Sequence, residues 1–265
     1  MKLKITILFL LLALTINSAF ANVTTEQRDY VSDQMYRQLE KQGKIKEAED
    51  HKKIAQIFSK LKKNTRRKNI NYQLSISEDK NINAYALPNG KIVLNRGLIT
   101  ALQGREPSCL AFIIAHEISH IEKRHIEKRI QNALFTGILV TFLVRKSNNW
   151  VKALSGLSYG LVVSGYSRGN ETEADYEAVE LMRNSGYDPN GALYVLKLLE
   201  EMEKKKGNPR IFPTHPRAAD RYKNVMGWMK EKNITIDEPT GESLADAGEE
   251  INRETLETKE ASVVE

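Results

Sequence analysis

The sequence predicts a mainly α-helical fold with a small β-sheet, an α+β arrangement organised around one buried helix. Three observations predict it. Residues 24–63 carry apolar side chains at i, i+3 and i+4, the period of an amphipathic helix, and start and stop signals mark further helices along the 265-residue chain. Only two short stretches, 71–77 and 83–94, show the alternation or turn chemistry of strands. A helix opening near Pro107 carries an unbroken apolar run, Cys109 to Ala115, that leads directly into His116-Glu117-Ile118-Ser119-His120.

Composition bounds what such a fold can do. A hydrophobic content of 41% is enough for a real core, and the single cysteine, Cys109, excludes an intrachain disulfide framework. A buried structural thiol is the expectation for it. The formal net charge is +6, unevenly spread. From Asp237 onward there are ten acidic side chains and two basic ones, which leaves the remainder near +14. A basic body with an acidic tail suits an anionic partner surface or a self-masking tail. No nucleic-acid module and no interleaving of aromatic with basic residues is present, so nucleic acid is not an expected partner.

The elements follow in order. Residues 1–21 read as a signal peptide: Lys2 and Lys4, an apolar stretch from Ile5 to Leu14, then Ala19-Phe20-Ala21 as a cleavage site. An exported protein is therefore expected. The alternative, an uncleaved anchor, meets an apolar stretch that is short for a span. Residues 24–63 read as helical and polar, ending in a basic cluster (Lys60, Lys62, Lys63, Arg66, Arg67, Lys68) that suits a solvated helix end or anionic lipid head groups. Residues 71–77 read as a strand. Asn89-Gly90 marks a hairpin between 83–88 and 91–94, with Pro88 suiting an edge strand. An edge strand near a functional site can hold an extended peptide by β-augmentation. A short helix over 95–103 stops at Gly104, and Pro107 then opens the central helix, expected to run to about Arg129.

Residues 131–144 and 153–166 carry no charge and flank a polar tip that contains Trp150. Each arm is too short to span a membrane; together they suit a helical hairpin that packs on the body or makes peripheral membrane contact through 131–166. Asn170 and Glu173 have capping-box spacing for a helix ending at Ser185-Gly186. Asp188-Pro189 opens a helix to about Lys206, Pro213-Thr214-His215-Pro216 forms a rigid loop, and a last helix covers 217–230. The domain division is 1–21 signal peptide, 22–234 folded domain and 235–265 acidic disordered tail.

The chemistry-bearing residues sit on the central helix. Positions i and i+4 share a face, about 6 Å apart along the axis, so His116 and His120 can hold one tetrahedral Zn²⁺ while Glu117 serves as a base beside it. A catalytic zinc ordinarily takes three protein ligands. His125 lies roughly 140° round an unbroken helix from His120 and cannot reach the same ion. Glu171 and Asp175 share one face of a separate helix. One such carboxylate can bind metal while the other holds a ligating imidazole by its free N–H. Their alternative is ordinary acidic enrichment of a first helical turn.

Four blocks in order, NAYALPNGKIVLNRGLI (83–99), HEISHIEKRH (116–125), SRGNETEAD (167–175) and THPRAADR (214–221), resemble the zinc metallopeptidases related to the CAAX prenyl endopeptidases, of the HtpX and Oma type, in their exported BepA-like branch. The resemblance implies a zincin-like fold with one Zn²⁺ per chain bound by His116, His120 and Glu171. Glu117 is then the base and Asp175 orients a ligand. Asn83, Ala84, Tyr85, Ala86, Leu87 and Pro88 line the substrate cleft. His215 and Arg221 match a family block beside the metal; His215 stabilises the oxyanion or visits the open position on zinc, with a loop-fixing role as the alternative. Asn89 stands where many relatives have Gly, a tolerable change in a turn. The implied function is a zinc endopeptidase of the periplasm acting on unfolded or misassembled envelope polypeptides. The competing expectation is an envelope assembly factor with a latent or closed zinc site.

Overall fold

One helix, buried on every side, sets the frame. The computed structural model describes residues 23–48, 51–105, 107–132, 160, 165–206, 214–215 and 217–239. Its elements are α1 (Thr25–Glu40), β1 (Ile45–Glu47), α2 (Lys52–Lys63), β2 (Gln73–Ser77), β3 (Ala84–Ala86), β4 (Lys91–Asn95), α3 (Arg96–Ala101), α4 (Pro107–Glu122), α5 (Arg168–Asn184), α6 (Asn190–Lys206) and α7 (Ala218–Glu231). Every residue of α4 from Ala111 to Ile121 is buried. A helix apolar all round has no solvent face to present and belongs at the centre of a core. Phe112, Ile114, Ile118 and Ile121 are among its fully buried side chains, each worth about 1.5–3 kcal/mol of burial. Helix α4 packs against α2, α5 and α6 and against β3 and β4, so the sheet and the helical layer meet on it.

The sheet is mixed, in the order β1-β2-β4-β3. Strands β2 and β4 run parallel in the register Gln73↔Lys91 to Ser77↔Asn95. β1 pairs antiparallel with β2, and β3 antiparallel with β4. The expected hairpin is present: Leu87 N–H donates to the Lys91 carbonyl at 2.8 Å and Gly90 N–H to the Leu87 carbonyl at 3.0 Å. Gly90 has φ +104°, and a Cβ there would lie 2.5 Å from the Ile70 side chain, so the turn needs glycine twice over. β3 is an edge strand, as the position of Pro88 suggested.

Three expectations need correction. Residues 24–63 are not one helical stretch: α1 ends at Glu40 and β1 adds to the sheet edge before α2. Gly43 permits that reversal because its backbone approaches Asp79 too closely for a side chain, a Cβ falling 2.5 Å from the Asp79 nitrogen. The central helix does not run to Arg129. It stops at Glu122, and Arg124 takes a left-handed φ of +57° before the chain resumes helical structure at 125. Helix α5 is capped by Ser167, whose hydroxyl accepts from Asn170 N–H, not by Asn170 with Glu173. Glu173 is thereby left for another task.

The basic cluster is tied into the fold. Lys62 donates to the Tyr72 carbonyl, Arg66 pairs with Glu177, and Arg67 bonds the Ile121 carbonyl and Glu127. The signal segment at 1–21, most of the 131–166 hairpin including Trp150, and the tail from 240 lie outside the described residues. Among the described residues no helix is long and apolar enough to cross a membrane.

Candidate metal centre

Helix α4 delivers His116, Glu117 and His120 to one point because the helical period stacks i and i+4 on one face. All three are buried, at 1%, 0% and 0% exposure. Helix α5 crosses that face and contributes Glu171 and Asp175. The turn at 214–215 adds His215, and α7 adds Arg221, all of them buried. The sequence-derived set therefore converges: His116, His120, Glu171 and His215 each offer a ligand atom, and these atoms lie within 4.8 Å of one another.

The spacing can be compared with the demand of one ion. Ligand atoms about 2.0–2.1 Å from a tetrahedral zinc lie about 3.3 Å from each other. Here His116 Nε2 is 3.1 Å from His120 Nε2 and 3.3 Å from His215 Nδ1. Glu171 Oε1 is 3.3 Å from His120 Nε2, Glu171 Oε2 is 3.7 Å from His116 Nε2, and His215 Nδ1 is 2.9 Å from both Glu171 oxygens. These separations scatter about the tetrahedral value, and three imidazoles with a carboxylate suit a borderline cation such as zinc. The residues fit the metal that the sequence implies.

Around this group sits a shell of fixed charges. His116 Nδ1 is 2.8 Å from Asp175 Oδ1. Arg221 grips the same carboxylate through Nε at 2.9 Å and Nη2 at 2.6 Å and reaches Glu171 Oε2 at 3.2 Å through Nη1. Bidentate Arg–carboxylate pairing of this kind is strong and directional. Among the described residues the fully buried Glu117 has one close polar contact, a long one: His215 Nε2 lies 3.5 Å from Oε1. A buried carboxylate with so long a contact as its support is costly unless a polar guest or a cation comes to it.

The protonation states follow from the same neighbours. Burial pushes His120 down to about 3, so its imidazole is neutral and offers a lone pair. Burial alone would raise Glu171, but His215 and Arg221 outweigh it and hold the carboxyl well below the usual range. Glu117 is lowered in the same way, its burial overcome foremost by His215, and is ionised at neutral pH. Burial works against a charge on His215, yet the Glu171 and Glu117 carboxylates push it up to about 9.

The expected cleft residues contribute differently from the others. Asn83 to Pro88 are all buried, β3 included, although β3 ends the sheet among the described strands. Asn83 Oδ1 accepts from Thr214 Oγ1 at 2.9 Å, which clamps the His215 turn to the sheet. Tyr166 was not singled out in the sequence. Its ring stacks on His120 at 3.7 Å between centroids, 18° from parallel, and the Arg129 guanidinium lies 5.2 Å from its centroid. Its signal, an aromatic residue ending an uncharged run, is too common to read. A cavity of about 300 Å³ reaches Glu171 and Arg221 between Arg168, Arg217 and Lys223. A larger one of about 510 Å³, beside Cys109 and Tyr194, contains none of the converging residues, and neither cavity is lined by His116, Glu117, His120 or His215.

Comparison with known proteins agrees with this geometry. The model of peptidase family M48 matches residues 48–229, which contain the H-E-x-x-H helix, α5 and the His215 turn. Over 211 residues the chain is 28% identical to Metalloprotease LoiP of Escherichia coli (strain K12), covering 77% of this chain and 81% of that protein. It is 30% identical over 168 residues to the Mitochondrial metalloendopeptidase OMA1 of Schizosaccharomyces pombe, 62% of this chain and 49% of that one. It is 29% identical over 147 residues to the Beta-barrel assembly-enhancing protease of Yersinia pestis, 51% of this chain and 30% of that one. The chain thus spans most of the first relative, about half of the second and under a third of the last. With a zincin-like fold, a converging His/Glu group and a family match over most of its length, the chain belongs to peptidase family M48.

Proposed function

We propose that this protein is a zinc-dependent endopeptidase with a His₂Glu centre, in which His116, His120 and Glu171 hold the ion and Glu117 is the catalytic base. The observation that carries the reading is the set of near-tetrahedral separations among these ligand atoms, with an ionised Glu117 beside them that only the long His215 contact supports among the described residues. When bound, zinc supplies Lewis acidity, polarising the scissile carbonyl and acidifying water. Glu117 takes the proton of the attacking water and returns it to the leaving amine. Asp175 fixes the His116 ring through Nδ1, and Arg221 fixes Asp175. Residues 83–88 are assigned to the substrate cleft, where an extended chain laid along β3 places a peptide bond rather than a side chain at the centre.

The proposed setting is the periplasm, with polypeptides of the envelope as substrates and a function in protein quality control. Support comes from the charged–apolar–small pattern of residues 1–21 and from the name of the β-barrel assembly-enhancing relatives. The domain division at 21 and 234 and the membrane contact through 131–166 belong to the same proposal. Metal analysis tests the ligand set: one zinc per chain in the wild type, lost in Glu171→Ala. Full occupancy in that variant would move the third ligand elsewhere.

One observation favours a second reading, an assembly factor with a closed site. His215 Nδ1 takes a fourth vertex of the same cluster, 3.3 Å from His116 and 2.9 Å from Glu171. A four-protein-ligand zinc is closed and latent. His215→Ala separates the two: proteolysis rises if His215 blocks the site and falls if it stabilises the oxyanion.

A further inference from the structure

Two groups that the reading above leaves unused stand directly behind His120. His125 Nδ1 lies 2.9 Å from His120 Nδ1, and His125 Nε2 lies 3.0 Å from Glu173 Oε2. His125 is fully buried, whereas the Glu173 side chain is 43% exposed. On an unbroken helix this contact could not form, because residues five apart point roughly 140° away from each other. The chain makes it by ending α4 at Glu122 and turning through Arg124 at φ +57°, which folds His125 back onto the ring it follows. Lys123, in that turn, holds the other Glu173 oxygen at 3.2 Å and so fixes the carboxylate where His125 needs it.

The hydrogen-bond inventory leaves one neutral arrangement. An ionised carboxylate only accepts, so His125 must carry its proton on Nε2. A neutral imidazole with Nε2–H has a lone pair on Nδ1, so His120 must donate from its own Nδ1. That leaves the His120 lone pair on Nε2, the atom facing His116 Nε2 at 3.1 Å and Glu171 at 3.3 Å. Asp175 sets His116 the same way in one step: its carboxylate, at 2.8 Å, accepts from Nδ1–H and leaves the lone pair on Nε2. Two bare nitrogens 3.1 Å apart repel each other unless a cation lies between them. We propose that Glu173 and His125 form a carboxylate–imidazole relay that fixes the tautomer and ring orientation of His120, the counterpart, one residue longer, of the Asp175 contact to His116. Glu173 and His125 are positioning residues: neither reaches the cation or a substrate. The proposal rests on His120 being a metal ligand, as read above.

The test is zinc affinity, measured on the stripped full-length chain by competition with a chromophoric chelator, with Zn²⁺ alone as the probe. His125→Leu removes the acceptor and weakens zinc binding by about 10- to 100-fold, the usual effect of losing a partner of a ligating histidine. Glu173→Ala weakens it less. His125→Asn keeps an acceptor oxygen near the Nδ1 position, so it rescues affinity and abolishes the response to Glu173→Ala. Unchanged affinity in both His125→Leu and Glu173→Ala, with binding still lost in His120→Ala, overturns the relay alone; no zinc binding by the wild type overturns the underlying reading as well. Should His125→Leu not fold, the partly exposed Glu173→Ala decides. Imidazole ¹⁵N shifts of the zinc-free wild type give a second readout that packing would not move. His120 protonated on Nδ1 and His125 on Nε2 are expected, although free imidazole side chains favour Nε2–H. His120 protonated on Nε2, or His125 on both nitrogens, overturns the assignment.

Discussion

Arg221→Met tests the buried charge cage from the side away from the chemistry. Arg221 is 5% exposed and donates twice to Asp175, at 2.9 and 2.6 Å, while its third nitrogen lies 3.2 Å from Glu171. Both carboxylates are buried, at 1% and 0% exposure. Methionine keeps much of the volume but takes away the cation that grips Asp175 and that, together with His215, offsets Glu171 in the metal-free protein. Removing one member of a buried ion pair costs about 3–5 kcal/mol, because the partner stays buried and uncompensated. That is a large share of the roughly 5–15 kcal/mol that holds a domain together. For a domain of this size it lowers the melting temperature by roughly 6–20 °C. The assay is thermal and urea unfolding of chelator-treated protein followed by circular dichroism, with Arg221→Met/Asp175→Asn as the second variant. Neutralising Asp175 removes the stranded charge, so the double variant is more stable than Arg221→Met alone. A loss under about 1 kcal/mol for the single variant, or a double variant less stable still, would refute the cage.

Further outcomes follow from other positions. Arg124 sits at φ +57°, so Arg124→Gly leaves the protein as stable as the wild type or up to about 1 kcal/mol more so, while the β-branched Arg124→Val is destabilised by more than that, both read from urea midpoints. Gly191→Ala places a Cβ 2.6 Å from the Ser108 backbone, where α6 meets the start of α4, and costs about 1–3 kcal/mol with a smaller effect on zinc binding than any ligand variant. The metal-free protein loses stability at both ends of the pH scale. The Asp175 carboxyl is lowered because its burial is overcome by Arg221 and His116, so its contribution is present above its unfolded value near 4 and lost as pH falls. His215 is raised to about 9, so its contribution is complete below about 6.5 and lost as pH rises through 9. A flat alkaline limb between those values in chelator would contradict the His215 environment.

Much of this was legible in the sequence because the signals were periodic or stereochemically forced. The apolar run before His116 could only be a core helix, Asn89-Gly90 could hardly be other than a turn, and Glu171 with Asp175 share a face by the same period as the histidines. What escaped was set by tertiary contact. Ile45-Lys46-Glu47 has a single apolar side chain and is a strand only because β2 offers an open edge. The break after Glu122 carries no glycine or proline, so Lys123-Arg124 reads as helix, although the Arg67 guanidinium takes the Ile121 carbonyl there. Ser167 outcompetes Asn170 as the cap by sitting three residues earlier. Two of these misses bear on the site, since the break and the cap together free His125 and Glu173 to meet.

The central claim is metal-assisted proteolysis with Glu117 as base, and one paired measurement tests it most directly: zinc content and chelator-sensitive cleavage of casein, wild type against Glu117→Gln. The glutamine keeps the shape of Glu117 and lies outside the ligand set, so the variant retains one zinc per chain while cleavage falls by about 10²- to 10⁴-fold, the usual worth of a positioned general base. Wild-type cleavage that persists in chelator, or a Glu117→Gln protein that still degrades casein, would contradict the account.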